Sequence, residues 1–225
     1  MLLELCAYNL ESCLIAEKAG AGRIELCSNP LEGGVTPSFG LIATAMERVA
    51  IPVYPMLRPR GGNFVYGADE LEVMKKDILQ CREMGCVGIA TGVSLADSRL
   101  DADAMKQIVA WAYPMEVTCH KVFDRVPDAY EALDVLLAAG VTRLLTSGLE
   151  RTALGGAQLI AEMKAYTQGR MVIMPGGGVR AGNLREIAEK TSAGEFHSSG
   201  ILNMAVSQTA DEYEVRAMVS VLKEI

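Results

Sequence analysis

Carboxylates, thiols and imidazoles recur along this chain in short alternating pairs: Glu4-Leu-Cys6, Glu25-Leu-Cys27, Thr118-Cys-His120 and Glu195-Phe-His197. Residues two apart share one face of a β-strand, so each pair projects to one side if these segments are strands. Leu3 and Leu5, Ile24 and Leu26, Val117 and Cys119, and Phe196 occupy the opposite parity. A strand covered by helices turns its apolar face toward them, which sends the acids, thiols and both histidines of the chain into a shared interior. Three enclosed glutamates need cations, donors or protons to be tolerated. Arg58, inward by the same alternation, is the expected partner of Glu4, Glu25 and Glu195. A polar floor without chemistry is the competing reading of these acids.

Several kinds of chemistry are open to such a set. Cys6, Cys27 and His197, on three neighbouring strands, form a soft S,S,N group suited to Cu(I) or Zn(II). The opposing reading makes the cysteines small hydrophobes, and no CxxC or HxxxH spacing decides between the two. Cys13, Cys81, Cys86 and Cys119 read as packing residues. His120 with Asp124 makes an acid/base pair for an enzyme, with Glu25 and Glu195 as further proton carriers. Alternation points Lys121 away from the interior. Arg58 and Arg60 offer planar forks for a carboxylate or phosphate, Arg60 being the freer of the two. Gly177, Gly178 and Ser198 lie where loop amides bind phosphate in many barrels, although glycines there also serve tight turns.

The elements that must position these residues alternate along the whole chain. Strand-type runs fall at Leu2–Ala7, Arg23–Cys27, Val53–Arg58, Val87–Thr91, Glu116–His120, Arg143–Thr146, Met171–Pro175 and Glu195–Ser198. Amphipathic helical runs such as Glu11–Ala19, Ala68–Met84, Asp103–Ala112, Asp128–Ala139, Leu154–Tyr166, Asn183–Lys190 and Asp211–Lys223 lie between or after them. Gly20, Gly85 and Gly140 follow helical runs where a left-handed cap is wanted. Eight βα units in 225 residues, with no linker, predict a single-domain α/β (β/α)8 TIM barrel over residues 1–225. An open doubly wound sheet is the alternative. In the barrel, Glu4, Glu25 and Glu195 are expected at a deeper level, and Cys6, Cys27 and His197 nearer the C-terminal rim.

Composition narrows the partners. The net charge of −7, without a Lys/Arg run, argues against nucleic acid or an anionic membrane surface. No apolar stretch reaches the roughly 18 residues that a bilayer span needs. The first residues lack a basic segment and carry Glu4, unlike a secretory leader. Six irregularly spaced cysteines do not suggest a disulfide framework. The expectation is a cytoplasmic protein with free thiols and a small ligand, either a copper ion or a small anion.

Seven blocks taken in order, Ile24-Glu-Leu-Cys27, Glu32-Gly-Gly-Val-Thr-Pro-Ser38, Leu57-Arg-Pro-Arg-Gly-Gly-Asn-Phe64, His120-Lys-Val-Phe-Asp124, Leu145-Thr-Ser-Gly148, Pro175-Gly-Gly-Gly178 and Glu195-Phe-His-Ser198, resemble the signatures of the copper homeostasis family CutC. The resemblance spans nearly the whole chain. It implies a cytoplasmic barrel, usually a homo-oligomer (dimer or tetramer here), assigned to copper homeostasis and copper binding, a role disputed for bacterial members. The cysteines linked to copper in the family match Cys6 and Cys27. His120-Lys121 departs from the family's usual His-Arg, which keeps a charge but loses the fork, and the region after Gly200 is short. Set beside this is an enzyme acting on a small anionic or phosphorylated metabolite, or a barrel that serves only as an interaction protein.

Overall fold

The computed structural model of the chain describes residues 1–225. Eight strands, β1 (Leu2–Ala7), β2 (Arg23–Leu26), β3 (Val53–Pro55), β4 (Gly88–Thr91), β5 (Glu116–Cys119), β6 (Arg143–Thr146), β7 (Val172–Pro175) and β8 (Glu195–Ser198), each precede a helix. The helices are α1 (Leu10–Ala19), α2 (Phe39–Arg48), α3 (Ala68–Glu83), α4 (Ala102–Ala112), α5 (Ala129–Ala139), α6 (Ala157–Thr167), α7 (Ala181–Thr191) and α8 (Glu212–Glu224). All strand pairs are parallel, in two runs ordered β3-β2-β1-β8 and β4-β5-β6-β7. Single parallel bridges, Met56 to Ala90 and Gly176 to His197, close the ring between them. The chain is a closed (β/α)8 barrel, not an open sheet.

Local chemistry explains the element ends. Asn9, Ser38, Asp101, Asp128 and Asp211 cap helices by accepting backbone N–H groups in the first turn. Gly20 and Gly140 end α1 and α5 in the left-handed conformation at φ 90° and 84°, which a side chain would resist. Helix α2 is missing from the sequence reading because Gly40 and the β-branched Ile42 and Thr44 dilute its pattern. Its capping Ser38, followed by apolar Leu41, Ile42 and Ala45, was the signal that marks it. The third strand is shorter than Val53–Arg58 because Pro55 has no N–H for the ladder, yet the chain stays extended as far as Leu57, whose amide reaches the Ala90 carbonyl.

The apolar packing divides by face. Leu3, Leu5, Ile24, Leu26, Val117, Cys119 and Phe196 belong to the large core between the strands and the helical shell. A small separate cluster of Cys6, Cys27, Met56 and Ala90 sits inside the barrel, with Tyr8 against it. Cys13, Cys81, Cys86 and Cys119 belong to the outer core or pack there, and all six cysteines are buried free thiols.

Candidate functional site

Register sets the heights of the inward side chains. Glu4 stands level with Arg23 on β2 and with His197 on β8, while Cys6 is level with Glu25, and Leu2 with Glu195. The expected tier of three glutamates below a tier of Cys6, Cys27 and His197 is therefore corrected. The barrel's shear offsets each strand from its neighbour, so Glu195 is lowest, Glu4 lies beside His197, and Glu25 is higher beside Cys6.

The floor is an ion network. Arg23 donates to Glu4 and Glu195, each at 2.5 Å, and Arg143 donates to Glu195 at 2.6 Å and to Glu116 at 3.0 Å. Tyr54 donates to Glu116 at 2.8 Å, and its ring lies so close over Gly88 that a β-carbon there would collide with it. Both guanidiniums flank the Tyr54 ring. Arg23 and Arg143, not Arg58, thus neutralise the deep acids. Arg23 shares its parity with Glu25 and could have been read from it. Glu195 belongs to this floor and is not brought to the mouth as a proton carrier. Burial opposes ionisation of Glu4, but hydrogen bonding and charge from His197 and Arg23 hold its pKa down to about 2.

Above the floor, four groups converge. The Cys6 and Cys27 sulfurs lie 3.9 Å apart, the Cys27 thiol is 3.5 Å from Glu25 Oε2, and His197 Nε2 is 3.8 Å from the same oxygen. His197 Nδ1 meets Glu4 Oε1 at 2.7 Å, so the carboxylate fixes the ring and leaves Nε2 toward the lumen. The Cys27 hydrogen bond is the main influence drawing the Cys6 thiol well below its ordinary pKa against burial, with His197 assisting. The same bond, with burial and the charge on Cys6, drives Cys27 up. Burial and Cys6 raise Glu25 well above the carboxylate range. Burial opposes a proton on His197, but Glu25, Cys6 and Glu4 together keep it there. Two trios that share Glu25 could each offer donors to a metal ion, Cys6 with Glu25 and Cys27, and Glu4 with Glu25 and His197.

The mouth holds a cavity of about 110 Å³ whose lining includes Cys6, Tyr8, Glu25, Arg58, His120 and Lys121. Arg58 is buried there, donating to the carbonyls of Glu32, Gly34 and Gly62 and lying 4.6 Å from the Phe64 ring centre. His120 accepts the Val122 N–H on Nδ1 at 3.2 Å and packs 4.9 Å from Phe64. Burial, then the charges of Arg58 and Arg125, lower its pKa to about 3. Asp124 does not orient His120. Its carboxylate accepts from the hydroxyls of Thr146 and Ser147 and the amides of Ser147 and Leu149, which organises the loop after β6. The acid/base pair expected from sequence is thereby not formed.

Two further expectations change. Arg60 is engaged by Glu70 at 2.6 Å, by the Gly61, Asn63 and Val65 carbonyls and by the Tyr66 ring, so it builds its loop instead of facing the mouth. Lys121 does not point away: strand β5 ends at Cys119, parity stops there, and Lys121 lines the mouth with its ammonium 3.9 Å from Asp124. A second cavity, of about 170 Å³, adjoins the first through Cys6, Tyr8, Lys121 and His197 and is bounded by Gly177, Gly178, Arg180, Ser198 and Ser199. The Ser198 hydroxyl is committed to the Val179 carbonyl, Arg180 and the Gly200 amide. Tyr8 and Arg180 were not singled out from sequence, since neither sits on a strand.

The chain is similar to known proteins in sequence and in fold. Residues 1–202 match the CutC family. The chain is 46% identical over 198 residues to the copper homeostasis protein cutC homolog of Mus musculus, covering 88% of this chain and 73% of that one. A crystal structure described as a copper homeostasis protein CutC from Streptococcus agalactiae aligns with TM-score 0.83 at 35% identity, covering 88% of this chain and 98% of the other. N-(5'-phosphoribosyl)anthranilate isomerase from Pyrococcus furiosus aligns over 100% of both chains with TM-score 0.63 at 17% identity, a likeness of fold alone.

Proposed function

This chain belongs to the CutC copper homeostasis family, and from that premise we propose that it binds Cu(I) as cargo through Cys6, Cys27 and the Nε2 of His197. One observation carries the reading: the two buried sulfurs stand 3.9 Å apart. Thiolate bonds to a soft ion are about 2.3 Å, and in a trigonal arrangement two such sulfurs lie about 4 Å from each other. That spacing fits an ion between them and is far too long for a disulfide. Thiolate and imidazole donors suit Cu(I). Glu4 behind His197 supplies the carboxylate partner that fixes a ligating imidazole. Glu25 is the adjacent oxygen, well placed to accept or release protons as the ion enters.

Copper would displace protons from Cys27 and His197, so affinity rises with pH. The reading includes the cytoplasm as the site of action, because open thiols persist under reducing conditions, and a homo-oligomer, dimer or tetramer. The test is competition for Cu(I) against a chelator of known affinity under reductant. Cys6→Ser and Cys27→Ser should each weaken binding by at least about tenfold, and unchanged affinity in both would overturn the assignment.

A further inference from the structure

The copper set leaves part of the mouth unexplained. Buried side chains are almost always hydrogen-bonded, yet Glu25 Oε1, Arg58 Nε and His120 Nε2 have no partner. All three residues line the same cavity and are 2%, 4% and 3% exposed. They also differ in what they offer. Arg58 Nε can only donate. Because His120 Nδ1 accepts the Val122 amide, its Nε2 carries the ring proton and donates as well. Glu25 Oε1 is a carboxyl oxygen. Two unpaired donors and an unpaired carboxyl oxygen on side chains around one small space match an organic molecule that bears hydroxyl or carbonyl oxygens, and a lone metal ion would satisfy neither donor.

The adjoining cavity has a different character. The amides of Gly177, Gly178 and Ser199, which bound it, have no protein acceptor. Gly177 is left-handed at φ 106°, and a β-carbon on it would stand 3.2 Å from the Lys121 ammonium, so the absent side chain keeps the backbone open beside that cation. Arg180 adds a guanidinium that already holds the Val179 and Ile201 carbonyls. Consecutive loop amides flanked by cations form an anion cradle. Asp124 is the one carboxylate close to Lys121, at 3.9 Å, and four donors from the β6 loop already hold it.

We propose that the two cavities together bind a small phosphorylated metabolite, with the phosphate on Lys121 and the Gly177, Gly178 and Ser199 amides, and the oxygen-bearing carbon end on Glu25, Arg58 and His120. This goes beyond metal binding and does not depend on it. Lys121 is the residue whose parity is lost at the end of β5, and it supplies the charge that the ester requires.

Calorimetric titration of the full chain tests the proposal, with the copper chelated so that the result is independent of the metal assignment. The probes are inorganic phosphate, glycerol 3-phosphate, ribose 5-phosphate, and glycerol and ribose as unphosphorylated controls. At least one ester is expected to bind saturably and more tightly than inorganic phosphate, with neither control binding. Lys121→Met, a substitution at a half-exposed loop position, should weaken the ester by about tenfold or more, while Lys121→Arg retains it and Lys76→Met, on the outer face of α3, changes nothing. His120→Phe should weaken the ester and leave inorganic phosphate unaffected. Absence of saturable ester binding, equal affinity for ester and inorganic phosphate, or full affinity in a folded Lys121→Met protein would each overturn it.

Discussion

The two ends of the lumen are built from the same residue types and behave in opposite ways. At the floor, Arg23, Arg143, Glu4, Glu195 and Glu116 interlock with Tyr54, and none of their buried polar atoms lacks a partner. At the mouth, Glu25, Arg58 and His120 are as buried as Glu4, Arg23 and Arg143, yet each keeps one atom unpaired. A satisfied buried network holds a barrel together, whereas unsatisfied atoms cost stability unless something fills the gap. Residue identity therefore says little about role inside this barrel; the partner count separates support from recognition.

The contrast can be broken most forcefully at the floor. Arg23→Met strips Glu4 of its guanidinium and Glu195 of one of two, and removing one partner of a buried pair costs about 3–5 kcal/mol. Urea unfolding of the variant should show a loss of that size; a loss under about 1 kcal/mol would mean that the floor is not held by its charges. Acid probes the same end more gently. The Glu4 pKa is lowered from 4.5 to about 2, so the stability it contributes is full above 4.5 and disappears as pH falls toward 2. At about 1.4 kcal/mol per pH unit, this amounts to about 3 kcal/mol, measurable by urea titration at stepped pH, and a flat profile over the interval would contradict an ionised Glu4. The smallest effect is expected at the mouth. Glu25→Gln keeps the shape and alters a group whose Oε1 is already unpaired, so unfolding free energy should stay within about 1 kcal/mol of the parent, while Cu(I) retention in the chelator competition declines. A destabilisation comparable to Arg23→Met would erase the distinction between the two ends.

What the amino-acid order disclosed follows from how regular each segment is. Strand parity is a strict two-residue rule, so Glu4, Cys6, Glu25, Cys27 and His197 could be turned inward without coordinates. Stagger between strands has no signature within one strand, which is why Glu4 was assigned to a tier with Glu25 when its neighbour is His197. Loops obey no period at all. Arg58 and Arg60 emerge from the same turn and end on different carbonyls and acids, Asp124 turns to Ser147 instead of His120, and Lys121 swings over the opening. Helix α2 was hidden for another reason, because Gly40 interrupts a pattern that its cap would otherwise announce.

Tyr54 has a further consequence. Its ring, pressed over Gly88 and anchored to Glu116, stoppers the barrel from below and makes the lumen a cul-de-sac. Cys6 lines the cavities at the mouth, and Lys121 and Tyr8 stand at their threshold. Traffic in and out of such a vessel is sequential, so whatever rests in the vestibule governs how quickly the chamber behind it fills and empties.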